Sequence, residues 1–133
     1  MAVHVLEDDP GVSDALALLL DHLGFEVICH ADAEDFFRAE PPKGKDIVFV
    51  DLMLPGISGK AVIRWLQQLR EPPRIVAMSG QSQKVIDAEL RGIGITQVIR
   101  KPLNHTAITS QLAAAHLWGA LRALHIFRVR EST

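Results

Sequence analysis

The segment Ile47-Val-Phe-Val-Asp51 decides the fold. Four consecutive apolar residues, three of them β-branched, are too few for a helix and show no alternation, so they read as a strand covered on both faces. Ile75-Val-Ala-Met78 has the same character, and further apolar runs lie at Ala2–Leu6, Phe25–Ile28 and Val98–Ile99. Longer segments with helical spacing separate these five strands. Val12, Leu16, Leu19, Leu20 and Leu23 form a stripe that closes at Gly24, with Asp9 placed to cap and Pro10 suited to the first turn. Val62, Trp65, Leu66 and Leu69 recur at i, i+3, i+4 and i+7 behind Ser58. Ala33–Ala39 carries Phe36 and Phe37, Ser82–Arg91 carries Val85, Ile86 and Leu90, and a last helix starts near Asn104 with Ile108, Leu112 and Ala115. Parallel neighbours need crossover connections, which helices supply, so the alternation predicts an α/β fold with a doubly wound, five-stranded parallel sheet.

Composition bounds the rest. With 133 residues, 48% apolar and 23% charged, the chain suits one ordinary domain that buries roughly 65–70% of its unfolded surface without staples. Its single cysteine, Cys29, excludes a disulfide framework, points to a reducing compartment and reads as a small buried hydrophobe. A net charge of −2 gives no bulk reason to expect direct nucleic-acid or membrane binding. The longest apolar run, Ala15–Leu20, falls well short of the about 18 residues of a membrane span. Met1-Ala-Val-His4 lacks a basic segment leading into an apolar one, so a cytoplasmic protein is expected. The links Glu40–Lys45 and Glu71–Arg74, each with a Pro-Pro pair, are turns. The six histidines lack paired ligand spacing, which favours core or surface positions over metal binding.

The chemistry lies at the strand ends. The first run ends in Glu7-Asp8-Asp9, the third in Asp51, the fourth in Ser79-Gly80, and the fifth, after Arg100, in Lys101-Pro102. Ligands of open α/β sheets bind outside the carboxyl ends of the strands where their order reverses. With the order 2-1-3-4-5, Glu7, Asp8 and Asp51 meet in one crevice, approached by Ser79 and Lys101 from the other side. Clustered carboxylates need a raised pKa or a cation, and oxygen-only ligands select a hard ion, with Mg²⁺ fitting best. Lys101 adds a point charge, Ser79 a hydroxyl, and Gly80 room for a group to enter. Together they outline a phosphoryl site beside an acidic nucleophile, able to form an aspartyl phosphate. Acids also favour helix N-termini, a role that Asp9 fits better than its neighbours.

In these residues the chain resembles the receiver domains of two-component response regulators over roughly residues 3–118. The resemblance implies a flavodoxin-like (βα)5 fold, with the receiver domain spanning 1–119. It implies that Asp51, in Val50-Asp-Leu-Met-Leu-Pro-Gly-Ile-Ser-Gly59, is the phosphoacceptor. Asp8 is then a direct Mg²⁺ ligand, Glu7 acts through water, and the Met53 backbone carbonyl completes the metal shell. Pro55 and Gly59 match the turn into the third helix, Ser79 the hydroxyl switch position, and Lys101 the lysine on the phosphoryl oxygens, joined to Pro102 by a cis bond. Met53 and Gln81 occupy positions that tune water attack on the phosphoryl group; Met53 offers no base, so hydrolysis at an ordinary or slow rate is expected. Val98 departs from the family, which usually has Tyr or Phe there, so its movement is expected to be small.

The implied function is phosphoryl transfer from a sensor histidine kinase or phosphotransfer protein onto Asp51, switching a surface near the fourth and fifth helices. The domain then catalyses its own modification without turnover on a separate substrate. Three other readings remain: an aspartyl phosphohydrolase, which wants an acid where Met53 stands; a nucleotide-binding module, whose phosphate loop Glu7-Asp8-Asp9 would repel; and a phosphorylation-independent interaction module, for which Val98 argues. Helical spacing continues through Leu117, Leu121, Leu124 and Arg128, which makes residues 120–133 a helical extension forming a homodimer interface, a link to an output domain, or a disordered tail.

Overall fold

The computed structural model describes residues 1–94 and 97–115. Two compact units divide the chain after Pro102. The first contains β1 (Ala2–Leu6), α1 (Pro10–His22), β2 (Glu26–His30), α2 (Ala33–Arg38), β3 (Ile47–Asp51), α3 (Gly59–Gln67), β4 (Arg74–Ser79), α4 (Gln83–Glu89) and β5 (Val98–Arg100). All neighbours pair in parallel, as the alternation of strands and helices predicts, and their order is β2-β1-β3-β4-β5, that of the flavodoxin-like fold the resemblance implies. The second unit begins at Leu103 and is helical over 105–115, here α5. Asn104 caps it by accepting the Thr106 and Ala107 N–H groups at 2.7 and 3.2 Å. The expected continuation through Leu117, Leu121, Leu124 and Arg128 lies outside the described residues.

Every residue of β3 is buried, which is why its run shows no alternation. On one face Leu6, Val48, Val50, Ile75 and Ala77 share a core with Phe36 of α2, Leu66 of α3 and Ile86 of α4. Each helix there starts on a side-chain cap: Asp32 accepts from Asp35 N–H, Ser58 from Ala61 N–H and Ser82 from Val85 N–H. Asp9 caps α1 from one residue before Pro10. Two buried histidines join this architecture. His4 pairs with Asp46 at 3.1 Å and His30 with Asp35 at 2.8 Å, and both rings meet Phe36 edge-on.

Some details depart from the sequence reading. Cys29 is exposed rather than buried, because β2 is an edge strand with β1 as its one neighbour. Leu23 ends α1 as its C-cap and is 41% exposed, so the buried stripe stops at Leu20. Phe25 belongs to the turn and not to β2: its N–H bonds Leu20 O at 3.1 Å after Gly24 adopts a φ of 90°. Val85 of α4 faces outward, leaving Ile86 as the buried position of the helix and Leu90 as its buried C-cap.

Candidate functional site

The carboxyl ends of β1 and β3 build the site. Register pairs Leu6 with Val50, so the residues that follow, Glu7 and Asp51, emerge side by side. Glu7 N–H donates to His30 O at 3.1 Å and Leu52 N–H to Met78 O at 2.9 Å, which carries backbone pairing just beyond the strands and holds the backbone from which both acids project. Each of the two acids is only 2% exposed, whereas Asp8 is exposed. Carboxylate oxygens of Glu7, Asp8 and Asp51 all lie within 4.8 Å of one another.

Lys101 supplies the countercharge. Its N–H donates to Ser79 O at 2.8 Å, placing it where β5 leaves the sheet. From there its ammonium group reaches Asp51 Oδ2 at 3.1 Å and forms an ion pair with Glu7 Oε1. Asp51 Oδ1 accepts the Met53 N–H at 2.9 Å, folding the loop after β3 back on the acid.

Protonation differs between the two buried acids. Burial pushes the Glu7 carboxyl up to about 7, and the neighbouring Asp51 adds to the rise against the opposing pull of Lys101. Asp51 feels burial too, but the Glu7 carboxyl, the Met53 N–H and Lys101 outweigh it and hold Asp51 below the usual carboxylate range. For Lys101, burial is likewise outweighed by Glu7 and Asp51, so its ammonium is held more firmly than usual. The result is an ionised buried aspartate next to a fixed cation.

Gly59 lets the loop close. A Cβ at this position would stand 2.2 Å from Asp51 O and 2.8 Å from Leu52 Cα, so the first turn of α3 rests directly on the end of β3. A family model described as the response regulator receiver domain matches residues 3–113. The chain belongs to that family.

Curated relatives of this receiver domain include the transcriptional regulatory protein FixJ of Azorhizobium caulinodans. FixJ is 29% identical over 115 residues, which cover 86% of this chain and 54% of FixJ. The sensory transduction protein RegX3 of Mycolicibacterium smegmatis is 32% identical over 121 residues, covering 90% and 52%. The chain therefore spans about half the length of these relatives. Full-length FixJ from B. japonicum superposes with a TM-score of 0.71 at 26% identity, over 86% of this chain and 56% of that one. The chemotaxis response regulator CheY4 of Vibrio cholerae gives 0.73 at 19% identity, over 86% and 98%, and shares the fold. No helix among the described residues is long and apolar enough to cross a membrane.

The receiver domain thus brings Glu7, Asp8, Asp51 and Lys101 together. Ser79 ends β4 fully buried, and its hydroxyl bonds to Gln81. The Lys101–Pro102 peptide is cis. Val98 pairs with Ala77 and packs half-buried against the core. The Met53 side chain is 58% exposed. At Gly80 a Cβ would meet nothing closer than Lys101 Cβ at 3.9 Å, so the space expected there does not depend on glycine. Sequence reasoning missed that Glu34 of α2 lies beside the loop between β3 and α3: its Oε1 would stand 3.0 Å from a Cβ at Gly56, a glycine with a φ of 70°. No local pattern links residues 22 positions apart. It also missed the pairing of Lys101 with Glu7, since spacing marks both residues but not which carboxylate the lysine holds.

Proposed function

We propose that this receiver domain accepts a phosphoryl group on Asp51 from a phosphohistidine of a sensor histidine kinase or phosphotransfer protein. An Asp51 carboxylate oxygen attacks phosphorus, the P–N bond breaks, and its electron pair leaves on the imidazole nitrogen. The observation that carries this reading is an aspartate that stays ionised although buried, 3.1 Å from a fixed ammonium group. A charged nucleophile is thereby available, and Lys101 stands ready to hold phosphoryl oxygens.

The donor set fits a hard divalent ion. Three carboxylates converge, and buried Glu7 Oε2 has no hydrogen-bond partner among the described residues. Asp8, Asp51 and the Met53 carbonyl would hold Mg²⁺ directly, and Glu7 through water. When bound, the ion supplies charge neutralisation for the incoming phosphoryl oxygens. Met53 puts a thioether where an aspartyl phosphohydrolase needs an acid, which favours self-modification over turnover on a separate substrate. We place the receiver domain at 1–119, in the cytoplasm, with its switched surface near α4 and α5, and assign 120–133 to an extension that serves a homodimer or an output domain.

Incubation with a small acyl phosphate and Mg²⁺, followed by intact mass, tests this. The expected result is a gain of one phosphoryl group that requires Mg²⁺ and disappears in Asp51→Ala. Undiminished modification of Asp51→Ala overturns it.

A further inference from the structure

Ser79 is pinned at its backbone and held at its side chain by one other residue. Lys101 N–H donates to its carbonyl at 2.8 Å, and the side chain is fully buried. Its hydroxyl donates to Gln81 Oε1 at 3.4 Å and accepts the Gln81 N–H at 3.1 Å, with no other partner among the described residues. A backbone fixed in this way leaves rotation about χ1 as the way for the hydroxyl to change partner, and staggered wells make that a discrete jump. Such a jump breaks the bond from the Gln81 N–H as well as the one to its carboxamide, and the second of these depends on the Gln81 side chain.

We infer that Gln81 is a positioning residue whose carboxamide latches the Ser79 hydroxyl in a resting orientation, so that a phosphoryl group on Asp51 must compete with it. This deepens the acceptor reading of Asp51 and rests on it, together with the hydroxyl-switch position that the resemblance gives Ser79. At 3.4 Å the contact is longer than a typical O–H···O bond, so the latch opposes the switched state by the low end of a neutral hydrogen bond's worth, about two- to threefold in a binding constant.

The test is titration of the full chain with beryllofluoride, a phosphoryl mimic, in saturating Mg²⁺. Gln81→Met keeps the length and removes the acceptor oxygen. It is expected to tighten beryllofluoride binding about two- to threefold while leaving the affinity for Mg²⁺ alone unchanged. In a Ser79→Ala background the same substitution is expected to have no effect, because the latched hydroxyl is gone; a merely structural role for Gln81 gives equal effects in both backgrounds. Equal affinity of Gln81→Met and the unaltered chain, or an effect that persists without the Ser79 hydroxyl, overturns the latch while the acceptor reading stands. Failure of the unaltered chain to bind beryllofluoride removes the acceptor reading, and the latch with it.

Discussion

Glu7 and Asp51 are equally buried, and yet Glu7 holds its proton more tightly than Asp51 does. Asp51 has the Met53 N–H and the Lys101 ammonium group on its two oxygens, whereas burial dominates at Glu7 and pushes it to about 7 from its usual 4.5. Between those two pH values the native chain holds a proton that the unfolded chain has lost. Stability from this group is therefore complete below about 4.5 and falls as pH rises towards 7. Glu7→Gln is expected to remove that slope, gaining about 2 kcal/mol on the unaltered chain across the window in metal-free buffer. Urea unfolding at several pH values measures it, and parallel curves for the two proteins would refute the assignment. Asp51 is legible in sequence because an acid directly after a buried run has to sit at a sheet end. The titration order is not, since it depends on the lysine contributed 50 residues later.

At the scale of elements, two junctions carry the site. Where β3 meets α3, any Cβ at Gly59 collides with backbone atoms that cannot swing aside. Gly59→Ala is expected to cost about 3 kcal/mol, through strain of the kind overpacking produces, and to displace the acceptor loop; thermal unfolding reads the first effect and phosphoryl uptake the second. A loss under about 0.5 kcal/mol would show that the loop relaxes freely. At the opposite sheet end, Asp46 accepts from Ala2 N–H, Lys43 N–H and His4. Those bonds outweigh burial and hold its carboxyl below the ordinary range. Its contribution is thus present above the usual value of 3.8 and is lost as pH falls through the depressed one. Asp46→Ala is expected to destabilise by about 2–4 kcal/mol at neutral pH, with the difference shrinking in acid; a constant difference would contradict the linkage. The strands and the helix starts were readable from runs, caps and prolines, whereas the strand order came with the family resemblance. Asp46 escaped notice because it reads as one more polar residue before a strand, and Cys29 misled because burial of an edge strand depends on what covers it.

For the whole molecule, one sheet order brings the acid ends of β1 and β3 against the lysine after β5, and belonging to the receiver family follows from that arrangement together with the match over residues 3–113. What the sheet leaves open is how the site speaks to the surface. Val98 is small and stiff, and it packs half-buried against the core. Phosphoryl mimicry is accordingly expected to shift backbone resonances of Ser79–Arg91 more than those at Val98, as compared by NMR with and without beryllofluoride. Changes centred on Val98 would contradict that route.

The central claim concerns one side chain. Reducing the phosphorylated chain with borohydride converts an aspartyl phosphate to homoserine, which peptide mapping then locates. The account predicts homoserine at position 51 and nowhere else; homoserine at position 8, hydroxynorvaline (the alcohol that a glutamyl phosphate gives) at position 7, or unmodified Asp51 in a chain that has gained a phosphoryl group, would contradict it.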